Sequence, residues 1–142
     1  MNRIKKNFCL IGMMRVIFFL LLCASCHQKE QTKNKLIWRQ LTKLVTEAEL
    51  KNKEYLLIIP GAGCQGCINE AVYSIKENAD NPIIQRGIIV FTEIIDFKTF
   101  RNRVGDQFLA MDNIILDKDN VIFLSETESI YPMIYKIRND DI

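Results

Sequence analysis

The chain has 142 residues, 49% hydrophobic and 25% charged, which is the size and composition of one globular domain. Its formal charge of +2 is unevenly spread: residues 1–25 hold four of the 19 basic side chains (Arg3, Lys5, Lys6, Arg15) and none of the 17 acidic ones, which leaves the remainder at −2. A domain of that charge has no electrostatic footprint for nucleic acid, and the chain shows no internal repeat or low-complexity tract.

Residues 1–25 read as an export signal. A basic start precedes a mostly apolar stretch, and its uninterrupted part, Val16 to Ala24, is shorter than the roughly 20 apolar residues a bilayer span needs. It fits the short apolar region of a signal peptide. The stretch ends in Cys23-Ala24-Ser25-Cys26. Small residues directly before a cysteine resemble the bacterial lipoprotein box, with Cys23 standing where that box usually has Leu. The resemblance implies cleavage before Cys26, a lipid on Cys26, and a domain held to a membrane of the bacterial cell envelope, facing the periplasm. An ordinary secretory signal and an uncleaved anchor are the alternatives. All three place the domain outside the cytoplasm, where disulfide chemistry is permitted. Residues 26–35 are polar and aperiodic, which suits a tether. His27 lies in that tether and is assigned no role.

The domain is expected over residues 36–142. Leu41, Leu44, Val45 and Ala48, with Ile37 one turn ahead, predict a helix from Leu36 to Leu50, with Trp38 packed at its edge. Lys51 to Glu54 is a polar turn. Tyr55 to Ile59 is nearly all apolar, as in a strand buried on both faces. Ile68, Ala71, Val72 and Ile75 mark one face of a helix that fades by Asn78, and Asn81-Pro82 breaks the chain. Gly87 to Ile95 reads as a second central strand. Asp96 caps a helix from Phe97 to Arg103, with Phe97, Phe100 and Val104 inward and Arg101 and Arg103 on the solvated face. A short turn at Phe108 to Met111, a short strand at Asn113 to Leu116 and a turn at Asp117 to Asn120 follow. Val121 to Leu124 fits a strand or a helix start. Ser125 to Ser129 is polar, and Met133 to Ile137 is a strand by composition.

Between the first strand and its helix lies Pro60-Gly61-Ala62-Gly63-Cys64-Gln65-Gly66-Cys67. Cys64 falls at the helix N-terminus, where unpaired N–H groups and the helix dipole favour thiolate over thiol. Cys67 stands one turn in, within reach of a small disulfide ring. Three readings compete. A zinc site needs two more soft or imidazole ligands, and the remaining candidates, Cys9, Cys23, Cys26 and His27, all lie at the far N-terminus. A structural staple is compatible with an oxidising compartment, although so short a loop removes little unfolded-state entropy. A redox-active pair is the third reading, and the strand–loop–CxxC–helix context favours it. No cofactor and no metal are expected.

The order helix, strand, CxxC, helix, strand, helix, Pro, strand resembles the thioredoxin fold over residues 36 to 142. The matches are Cys64-Gln65-Gly66-Cys67 after a buried strand, and Ile130-Tyr131-Pro132-Met133 before another. The stretch from Asp117 to Pro132 resembles the lipoprotein and membrane-anchored thioredoxin-like proteins of bacterial envelopes more than cytosolic thioredoxin. The resemblance implies an α/β domain with a central sheet flanked by helices, behind a cleavable signal segment. It implies thiol–disulfide exchange with protein thiols and disulfides through Cys64 and Cys67. It also implies a cis bond before Pro132, with Pro132 and the Tyr131 backbone binding substrate. The rival class is a non-catalytic envelope lipoprotein that uses such a domain for binding. Four positions depart from the family. Gly63 stands where a Trp usually precedes the first cysteine, Gln65-Gly66 replaces Gly-Pro, and Ile58 replaces a buried acid. Neither reduction potential nor direction of transfer is therefore implied. The chain also ends one residue into what the family has as its last strand, so the closing strand and helix are expected to be missing from these residues.

Overall fold

The computed structural model describes residues 33–125 and 130–137. The expected signal segment, and Cys26 and His27 with it, lie outside the described residues. Four strands form one mixed sheet in the order β3-β2-β1-β4. These are β1 (Tyr55–Pro60), β2 (Gly87–Thr92), β3 (Ile114–Leu116) and β4 (Met133–Lys136). β1 runs parallel to β2 and β2 parallel to β3, while β4 is antiparallel to β1. Helices α1 (residues 33–44), α2 (Glu47–Leu50), α3 (Gln65–Glu77), α4 (Pro82–Gln85), α5 (Phe97–Val104) and α6 (Asp106–Leu109) flank it.

Alternation along the two central strands builds two cores. Ile59, Ile89 and Phe91 face α3, α5 and α6, meeting Ile68, Val72, Ile75, Phe100, Val104 and Phe108. Leu56, Ile58, Ile88 and Val90 face the other way, against Ile37 and Leu41 of α1, Val45 and Leu50, and Ile122 and Leu124. Burial on both faces is why these strands read as unbroken apolar runs. The links β1-α3-β2 and β2-α5-α6-β3 step the same way across the sheet, so crossovers of one hand put their helices on one face. Ile122 and Leu124 then lie on the opposite face, and β4 pairs with the far side of β1.

Several elements differ from the sequence expectation, each for a local reason. The predicted helix over Leu36 to Leu50 is two helices. Thr46 starts the second with a capping box: its hydroxyl accepts the Glu49 N–H at 3.4 Å, and the Glu49 carboxylate accepts the Thr46 N–H at 2.7 Å. The hydrogen bond from the Thr46 backbone, then that from its hydroxyl, holds Glu49 below its ordinary pKa. Pro82 breaks the chain and also opens a helical turn, because the Asn81 side chain accepts the Ile83 N–H at 2.9 Å. β2 stops at Thr92, three residues before the expected Ile95, since Glu93 turns to φ 53° and donates its N–H to Asn120 Oδ1 at 3.0 Å.

Val121 to Leu124 forms neither strand nor helix. It is held by Asp117, whose buried carboxyl accepts the Thr92 hydroxyl at 2.9 Å and the N–H groups of Val121 and Ile122 at 2.8 Å each. Lastly, no peptide bond among the described residues is cis, so the bond between Tyr131 and Pro132 is trans. Trans is the favoured isomer by about 0.5–1 kcal/mol. The approach of this segment to the cysteines is made one residue earlier, at Ile130, and needs no cis bond.

Candidate functional site

The site is a loop wedged between two backbones. β1 ends at Pro60, and the Gly61 N–H donates to the Thr92 carbonyl at 2.7 Å, carrying the sheet register one residue further. A Cβ on Gly61 would stand 2.7 Å from Ile94 Cα, so only glycine lets the loop close on the exit of β2. On the other side Gly63 holds φ +123°, and a Cβ there would stand 2.5 Å from Ile130 Cα. Cys64 then donates its N–H to the Ile130 carbonyl at 2.8 Å. These contacts explain why Gly63 occupies a position where resemblance leads one to expect a bulky residue: the segment before β4 fills that space.

Cys64 is the N-cap of α3, a helix of 13 residues. Its sulfur accepts the Cys67 N–H at 3.4 Å, and its carbonyl accepts the Ile68 N–H at 2.9 Å. Cys64 and Cys67 form a disulfide with their Cα atoms 5.3 Å apart. Both are partly buried, while Gly63, Gln65 and Gly66 around them are exposed. The helix is anchored from below by Ile68, Val72 and Ile75, so the cysteines sit on a rigid element with one side open to solvent.

Tyr131 is exposed and Pro132 partly buried. They follow Ile130 directly and lead into β4, where Met133 pairs with Ile58. The structure thus brings the segment before β4 to the CxxC loop, with Ile130 making the contact. Ile58 is fully buried in the apolar core on the sheet face away from α3. Glu93 flanks the loop with its carbonyl against Gly61, and burial pushes its carboxyl above the ordinary value. Among the described residues no group of three or more His, Cys, Asp or Glu is placed to hold a metal, and no helix is long and apolar enough to cross a membrane.

Sequence reasoning misses three participants. Ile130 is one of several apolar residues near a proline. Glu93 does carry a signal, as a single acid inside an apolar run. Arg103 carries none: by sequence it belongs to a solvated face, yet its guanidinium donates to the Gln65 side chain and, at 3.5 Å, to the Gly61 carbonyl. Only the return of α5 beside the loop joins residues 38 positions apart.

No known protein family, curated protein or solved structure matches the chain.

Proposed function

We propose that the protein is a thiol–disulfide oxidoreductase of the bacterial cell envelope, built on a thioredoxin-like domain and tethered by a lipid on Cys26. The observation that carries this reading is Cys64 as N-cap of a long helix, with its sulfur accepting the Cys67 N–H. An accepted N–H and the positive end of a helix both favour a sulfur anion, and the thiolate is the form that attacks disulfides. Further support comes from the antiparallel strand that enters beside β1 behind Pro132, and from the approach of its leading segment to the cysteines.

In the reducing direction Cys64 thiolate attacks one sulfur of a substrate disulfide. A mixed disulfide forms and the other substrate sulfur leaves as thiolate. Cys67, deprotonated, then attacks Cys64 sulfur, and the second substrate thiolate leaves. The Cys64–Cys67 disulfide remains and two electrons have passed to the substrate. Every step reverses when the protein acts as oxidant. Tyr131 offers its backbone to an extended substrate beside Cys64, and Pro132, which has no N–H, starts the strand behind it.

The test is a Cys67→Ser variant incubated with glutathione disulfide. Peptide mass mapping should find glutathione on Cys64, because the resolving thiol is gone. A variant that leaves Cys64 unmodified under conditions where a free cysteine peptide reacts contradicts the proposal and supports a structural staple in a non-catalytic binding domain.

A further inference from the structure

The last turn of α5 carries two arginines with different surroundings. Arg101 is neutralised: its Nε donates to Asp106 Oδ1 at 2.8 Å in an ion pair. Arg103 has no carboxylate partner among the described residues. Its guanidinium instead lies 5.6 Å from the centroid of the buried Phe100 ring and donates to the Gln65 side chain and to the Gly61 carbonyl. The two acceptors bracket the first cysteine, one residue after it and three before. An unneutralised cation has thus been fixed at three points against the loop that carries Cys64.

We infer that Arg103 is a positioning residue for Cys64: it ties α5 to the CxxC loop and supplies a positive charge that favours the thiolate. This inference rests on the exchange reading above and adds to it a source of the favourable field that lies outside the motif. The helix dipole acts along α3, whereas Arg103 acts from the neighbouring helix on the same face of the sheet. A fixed opposite charge favours the charged form of a titrating group, and the effect is damped by solvent where both groups are partly exposed. The other charged or titratable side chains on the elements that flank the loop are Glu70 on α3, Glu93 after β2, Asp96 and Lys98 at the start of α5, Arg101 in its last turn, and Tyr131 before β4. Negative charge on the acids works against the thiolate that Arg103 favours, and Arg101 is paired with Asp106.

The experiment follows alkylation of Cys64 by iodoacetamide against pH in the reduced full-length protein, read by peptide mass so that other cysteines do not interfere. Wild type, Arg103→Gln, Arg103→Lys and Arg101→Gln are compared at low salt and at high salt. In the wild type, Cys64 should titrate below the value of about 8.5 for a free thiol. Arg103→Gln should raise that midpoint by roughly half a unit, cutting the alkylation rate about threefold on the acid side. Arg103→Lys should recover most of the shift through its charge, Arg101→Gln should show none, and high salt should shrink the difference between wild type and Arg103→Gln. A low Cys64 midpoint that Arg103→Gln leaves unmoved overturns the inference and leaves the exchange reading standing. An equal shift in Arg101→Gln also overturns it. A wild-type Cys64 that titrates as a free thiol removes the exchange reading, and this inference falls with it.

Discussion

The Cys64 N–H donates to the Ile130 carbonyl at 2.8 Å, across 66 positions of sequence. This bond fixes the first cysteine against the strand entry that follows, and it exists because Gly63 has no side chain. The residue before the cysteine and the residue before Tyr131 thus compete for one space, and backbone occupies it.

That competition predicts the effect of a single methyl group. Gly63→Ala combines a positive φ with a Cβ 2.5 Å from Ile130 Cα, so the loop and the β4 entry must separate. The expected cost is about 1–3 kcal/mol of stability, read by chemical denaturation. Gly66→Ala is the control. It lies in the first turn of α3, where an added methyl group would meet nothing within 4 Å, and should stabilise by about 0.5–1 kcal/mol.

Asp117 should be the most sensitive polar position outside the cysteines. Its carboxyl satisfies the Thr92 hydroxyl and two backbone N–H groups in a buried setting. Asp117→Ala leaves the Val121 and Ile122 N–H groups without their acceptor, while the Thr92 hydroxyl keeps the Ile122 carbonyl at 3.2 Å, and it loosens the segment carrying Ile122 and Leu124 from the sheet. The expected loss is about 3 kcal/mol in denaturant unfolding. Thr92→Val removes the hydroxyl alone and should cost less.

Glu93 should make stability fall as pH rises. Its folded pKa is raised by burial, so between its unfolded value, about 4.3, and the higher folded value the native state binds more protons than the unfolded state. Stability associated with this group is therefore full below the unfolded value and lost as pH climbs through the folded one. Glu93→Gln should match wild type in melting temperature near pH 3.5 and exceed it at pH 7. A higher wild-type melting temperature at pH 7 would contradict this assignment.

The proposed lipid anchor predicts a separation of roles among the cysteines. Each buried acyl CH₂ contributes about 0.8 kcal/mol, and stable anchoring takes more than one chain. Cys26→Ala should release the protein from membranes into the soluble fraction, while its reduced form still reacts at Cys64 and Cys67. Membrane retention after a high-salt wash would point to an uncleaved anchor at residues 8–24.

The sequence announces the parts of this fold that rest on periodicity. The apolar runs read at Tyr55 to Ile59 and Gly87 to Ile95 are strands, over Tyr55–Pro60 and Gly87–Thr92, and the stripe Ile68, Val72, Ile75 is the buried face of α3. Cys64 at the head of that helix is legible for the same reason. The break at Thr46 is also written in the chain, as Thr46-Glu47-Ala48-Glu49, but the apolar stripe running through it masks the capping signal. Other features have no local signature. Asp117 reads as an ordinary turn residue until Thr92 arrives beside it from the sheet. Arg103 reads as solvated until α5 folds back on the CxxC loop. The trans bond at Pro132 shows the limit of resemblance: the expected cis isomer is absent, and the residue of this segment that meets the CxxC loop is Ile130.

The central claim is tested most directly by the reduction potential of the Cys64–Cys67 pair, measured by equilibrating the protein in glutathione and dithiothreitol buffers and quantifying free Cys64 by alkylation and mass. An exchange catalyst with a thiolate stabilised at a helix N-terminus should equilibrate with these buffers, with a midpoint between about −280 and −120 mV. A midpoint below about −300 mV, with Cys64 and Cys67 alkylating equally once reduced, is the behaviour of a structural disulfide and would contradict the claim.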